Sequence, residues 1–110
     1  MKAKLFKYLG LPCALVMLGN TSALADGTSA SGTIREYHLN SQVPGRGVCI
    51  QLNPTAPVAA GWLCLWKDNP LYQETTDILR EAYSAGKTCS VVWFTYRGGT
   101  ATIESLECFN

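Results

Sequence analysis

Few side chains in this chain could do chemistry. Beyond residue 25 there are four cysteines (Cys49, Cys64, Cys89, Cys108), one histidine (His38) and three tryptophans (Trp62, Trp66, Trp93). Zinc and dithiol redox sites use cysteines a few residues apart, and these are separated by whole segments, so no metal site is expected. Read instead as two disulfides, they offer no thiolate nucleophile. His38 has no second histidine to work with and reads as a surface or hydrogen-bonded side chain. The acids Glu74, Asp77 and Glu81 fall on one side of a predicted helix and read as a solvated face rather than a calcium site. An enzyme is not expected, and neither is a cofactor.

The compartment follows from the leader. Residues 1–7 carry Lys2, Lys4 and Lys7, residues 9–18 are a short apolar run, and Ala23-Leu24-Ala25 is a small-x-small cleavage site. These are the parts of a secretory signal peptide over residues 1–25, with export to the periplasm or beyond. The run is shorter than the roughly 20 residues that span a bilayer, so no membrane insertion is expected. Cys13 follows Pro12, which argues against lipidation, and it leaves with the signal. In an oxidising compartment the remaining even number of cysteines pairs by default.

Cleavage leaves 85 residues, a size at which a hydrophobic core alone is marginal and staples are needed. Of nine basic residues three leave with the leader, so six oppose eight acids and the formal +1 becomes −2. No basic stripe remains to displace counterions from phosphates, which excludes nucleic acid as the expected partner.

The elements that must position the cysteines follow from pattern. Residues 26–31 are rich in Gly, Ser and Thr and read as a flexible leader, with the folded domain over 32–110. Residues 33–39 read as a strand and 40–47, with Pro44 and two glycines, as a loop. Val48, Ile50 and Leu52 share one face of a second strand, and residues 61–66 alternate as a third. A hairpin centred between Ala56 and Pro57 sets Cys49 opposite Cys64, Ile50 opposite Leu63, Val48 opposite Leu65 and Gln51 opposite Trp62. Asn69-Pro70 is a helix start, residues 70–85 carry an apolar stripe of Leu71, Thr75, Ile78, Leu79 and Ala82, and Gly86 can end the helix. Residues 88–96 and 100–109 fold about Gly98-Gly99, which sets Cys89 opposite Cys108. The pairing is therefore Cys49 with Cys64 and Cys89 with Cys108.

The resulting class is mainly β with one α-helix: an OB-fold, a five-stranded barrel with the helix between strands 3 and 4. Trp62 and Trp66 fall on the face opposite the presumed core, beside Cys64. Three roles are open to them: packing over the cystine or under a loop, a subunit interface, or a platform for a sugar or other flat ligand. Trp93 is open to two, filling a barrel end or touching a ligand.

The run from Ser31 to Asn110 resembles the binding (B) subunits of pentameric-B bacterial A-B toxins, closest to the subtilase-cytotoxin type and more distantly the Shiga type. The matching features are Ser31-Gly32-Thr33-Ile34, the cysteine in Val48-Cys49-Ile50, Cys64, and Tyr83-Ser84-Ala85-Gly86-Lys87 before a β-rich run. The resemblance implies a glycan-binding pair, Ser31 for the acidic sugar of a sialylated glycan and Trp93 for an apolar sugar face. It also implies a homopentamer that binds host-surface glycans and carries a separate catalytic A subunit. The chain departs from that pattern in its shorter length, in Trp where the relatives have Tyr, and in the pairing of Cys89 with Cys108.

Two functions of different kinds therefore stand as expectations. One is a secreted, non-catalytic toxin B-like subunit for host glycans. The alternative is a monomeric periplasmic OB-fold module that binds or inhibits another protein through Trp62 and Trp66.

Overall fold

The structure, a computed structural model, describes residues 28–110; the expected signal peptide and its cleavage near Ala25 lie outside the described residues. The elements in chain order are β1 (Thr28–His38), β2 (Arg46–Asn53), a 3-10 turn (Ala59–Gly61), β3 (Leu63–Trp66), α1 (Tyr72–Ala85), β4 (Thr88–Trp93), β5 (Tyr96–Arg97), β6 (Thr100–Thr102) and β7 (Ser105–Phe109). Their order in the sheet is β5-β6-β3-β2-β1-β4-β7.

The seven strands are the expected five, with the last two each broken once. β4 pairs with β7 and β5 with β6 in a single register, Cys89 opposite Cys108 and Arg97 opposite Thr100. Backbone bonds from Thr102 N–H to Thr95 O (3.0 Å) and Glu104 N–H to Val92 O (2.9 Å) carry the ladder across the break. It is one long hairpin turned at Gly98 and Gly99, whose φ angles of +64° and +83° suit the tight turn read from the sequence. β6 then pairs in parallel with β3, Leu63 opposite Ala101. Since β7, on the same strand, pairs with β4, the sheet closes into a barrel, with α1 between the third and fourth strands.

β1 is longer than the sequence suggested. Residues 28–31, expected in a flexible leader, pair with β4, Thr28 opposite Trp93 and Ser31 opposite Ser90. Ladder bonds come from the backbone, so a Gly/Ser/Thr composition does not prevent them. Beyond Thr33 the same strand pairs with β2, with a bulge between Ile34 and Glu36 that bends it from one half of the barrel to the other. At the bend Gly32 is required: a Cβ there would lie 2.4 Å from the Asn53 carbonyl oxygen.

The core collects the inward residues of the strands and one helix face: Ile34, Val48, Ile50, Leu52, Leu63, Leu65, Val91, Ile103 and, from α1, Leu79 and Ala82. The helix begins two residues later than Pro70. Asn69 still organises its entry, its Oδ1 accepting the Leu71 N–H at 2.8 Å and its carbonyl the Tyr72 N–H at 2.9 Å. The expected apolar stripe is only partly buried. Leu71 and Ile78 are exposed, whereas Tyr72 and Tyr37 pack against the core.

Candidate functional site

The two cystines lie on opposite faces of the sheet. Cys89 belongs to the core with Val91, and Cys108 packs against it. Cys49 and Cys64 pair across β2 and β3, as the hairpin register predicted, with the bonded sulfurs 2.03 Å apart. Their neighbours Val48, Ile50, Leu63 and Leu65 point inward, so alternation turns this cystine outward. It is nonetheless buried, because a second layer of side chains covers it.

That layer is built from strand ends. Trp62 precedes β3 and His38 ends β1; their rings stand 5.5 Å apart, tilted by 47°. Arg46 opens β2, and Thr100 opens β6, where its hydroxyl donates to the Arg97 carbonyl at 3.0 Å. Together with Cys49 these residues line a cleft of about 120 Å³. A half-buried indole beside an imidazole, a guanidinium and a hydroxyl can cover the apolar face of a sugar and bond its hydroxyls.

Trp66 takes the packing role. Its ring is 6 % exposed, next to Gly45 and Gly98, with the Arg97 guanidinium 4.0 Å from its centroid. Arg97 Nη1 donates to both Asp68 oxygens, at 3.1 and 2.9 Å, clipping the β5–β6 tip onto the turn before α1. The aromatic face expected of Trp62 and Trp66 together is thus a single ring, Trp62, with Trp66 sealed below a hairpin tip.

Ser31 and Trp93 are not brought together. Ser31 is exposed, its Oγ 2.5 Å from Ser90 Oγ. Trp93, three residues from Ser90 along β4, faces inward and is 3 % exposed within the core. A ring that fills the barrel presents no face to a sugar, so the pocket expected between these two residues is replaced by an exposed serine pair on one side and a packed tryptophan on the other.

Sequence reasoning missed Arg46, Thr100 and the Trp62–His38 contact. The glycines flanking Arg46 were the available signal. β2 carries a register shift between Arg46 and Cys49, and a Cβ at Gly47 would lie 2.6 Å from the Tyr72 ring. Among the described residues no three His, Cys, Asp or Glu side chains gather as a metal site.

Comparison with known proteins then places the architecture. No protein-family model and no curated protein matches the sequence. Two solved structures do match in fold. One is human heat-labile enterotoxin in complex with a blood group A antigen analogue, with TM-score 0.59, 13% identity, and coverage of 86% of this chain and 96% of that one. The other is the GM1-bound form of the ECX AB5 holotoxin, with TM-score 0.58, 17% identity, and coverage of 86% and 94%. The fold is that of an AB5 toxin B subunit. At these identities the B-subunit likeness is one of fold, and it does not single out the subtilase type that the sequence motifs suggested.

Proposed function

We propose that this chain is an exported, non-catalytic binding subunit of the AB5 kind, which assembles into a ring of five, holds a cell-surface glycan and carries a separate catalytic chain. The observation that supports it most is the B-subunit fold over nearly the whole length of both matched chains, each of which was solved with a glycan ligand. The Trp62–His38 cleft is the sugar site this reading favours, since it joins a partly open indole to polar groups. Ser31 remains a second proposed contact, through its hydroxyl, and a sialylated sugar remains the ligand suggested for it. Five weak sites on one ring would give the avidity that one lacks.

The alternative of a monomeric protein-binding module relied on Trp62 and Trp66 as a joint surface, and the burial of Trp66 removes half of it.

Two measurements on the oxidised mature domain test the reading. Light scattering on a size-exclusion column should give five subunits; a monomer at micromolar concentration sinks it. A glycan array should show binding that Trp62→Ala abolishes, and a blank array has the same consequence.

A further inference from the structure

Six basic side chains lie in the described residues: Arg35, Arg46, Lys67, Arg80, Lys87 and Arg97. Four are engaged. Arg35 donates to Gln51 Oε1, Arg80 pairs with Asp77, Lys87 with Glu81, and Arg97 with Asp68. Among the described residues the side chains of Arg46 and Lys67 have no hydrogen bond and no ion pair, and these two line one cleft. Its volume is about 200 Å³, and Asn40, Ser41 and Tyr72 complete its walls.

Arg46 is common to this cleft and to the one beneath Trp62 and His38. Its Nε is buried and has no acceptor. The nearest acid in sequence to Lys67, Asp68, has both oxygens on Arg97, so it does not neutralise the pair. The Lys67 backbone is fixed by its N–H to the Gly45 carbonyl at 2.8 Å, which holds Lys67, one residue past β3, next to the start of β2, where Arg46 lies opposite Trp66. A partly desolvated guanidinium without an acceptor, beside an unpaired ammonium, favours an oxyanion over a neutral hydroxyl.

We propose that the two clefts form one extended site for an acidic sugar, the ring resting against Trp62 and His38 and its carboxylate or sulfate held between Arg46 and Lys67. The inference rests on the glycan-binding reading above and assigns the charge recognition to residues other than Ser31. Specificity then comes from the positive charge that Arg46 and Lys67 leave uncompensated in the cleft, because a neutral analogue brings no charge to meet it.

The test uses the oxidised mature domain and three monosaccharide probes: methyl glucoside, methyl glucuronide and glucose 6-sulfate. Binding is read from the Trp62 indole N–H signal, assigned with Trp62→Phe. At least one acidic probe should bind about tenfold more tightly than the glucoside. The glucuronide alone identifies a carboxylate site, the sulfated sugar alone a sulfate site, and both together a general oxyanion site. The preference should fall to about one in Lys67→Gln, whose side chain is exposed and whose folding is not at risk, and in Arg46→Gln. Equal binding of acidic and neutral probes, a silent Trp62 signal, or a preference that survives both substitutions overturns the proposal. If the array nevertheless retains neutral glycans that Trp62→Ala loses, the binding-subunit reading stands and only the acidic site falls.

Discussion

The guanidinium of Arg97 lies 4.0 Å above the centre of the Trp66 ring and is held there by both oxygens of Asp68. This contact ties the tip of the long hairpin to the turn that enters α1, and it turns an outward-facing tryptophan into a buried one. Arg97→Ala should cost about 1 kcal/mol, the sum of a partly exposed cation–π contact and an exposed ion pair. It should also raise acrylamide quenching of Trp66 fluorescence in a Trp62→Phe background. Unchanged quenching would mean that the glycines, rather than the arginine, cover the ring.

The two cystines close loops of similar length, with sequence separations of 15 and 19. Loop entropy alone assigns each about 3 kcal/mol. Cys89 sits inside the core and Cys49 in the floor of the Trp62–His38 cleft, so their loss should differ in kind. The pair Cys89→Ala/Cys108→Ala should cost more in urea unfolding, because a core void adds to the lost constraint. The pair Cys49→Ala/Cys64→Ala should be the one that weakens glycan binding. Equal unfolding midpoints for the two double variants would refute the distinction.

Much of this was legible in the sequence because β alternation and turn position together determine a register. Cys49 opposite Cys64 and Cys89 opposite Cys108 both follow from turns placed at residues 56–57 and 98–99. What escaped were the places where the register changes. Bulges near Arg35 and between Arg46 and Cys49 have no strong residue signature, and they decide which side chains meet at the strand ends. The entry of residues 28–31 into β1 was hidden by their loop-like composition. The face of Trp93 could have been read: it is four residues from Cys89 and two from Val91, so on one strand all three point the same way.

At the bend of β1, Gly32→Ala should be poorly tolerated although alanine is the smallest change available. The new Cβ would meet backbone at Asn53, which cannot rotate away as a side chain would. A loss of about 2–3 kcal/mol is expected by analogy with overpacked cores. Urea unfolding measures it, and a variant as stable as the parent would show that β1 and β2 can separate at this point.

Alkaline stability should carry a signature of Tyr37, whose ring stacks on Tyr83 at 5.4 Å. Burial holds its phenol above the ordinary value; Arg80 opposes that effect, and Tyr72 and Asp77 add to it. The folded state therefore keeps the proton at pH values where the unfolded chain has released it. The contribution is complete below about pH 10 and is lost as pH rises through the higher folded-state value. Tyr37→Phe should flatten this part of the stability profile. If the profile above pH 10 is the same in both proteins, Tyr37 is not its source.

Ser31 and Trp93 lie on opposite faces of the β1–β4 pair, so substitutions at the two positions can tell a binding effect from a folding effect. Ser31→Ala removes one exposed hydroxyl bonded to Ser90 and should change stability by less than about 1 kcal/mol. Trp93→Ala empties a core position and should cost about 3–5 kcal/mol. On a glycan array, loss of binding in Ser31→Ala at an unchanged melting temperature would mark a contact on the outer face of β1, independent of the Trp62 cleft. Loss in Trp93→Ala alone, together with a lowered melting temperature, would reflect a damaged barrel. The diagnostic variant is Trp93→Phe, which keeps most of the core volume. If the inward face is purely structural, Trp93→Phe should bind as the parent does, and a selective loss of glycan there would place a sugar at the barrel end.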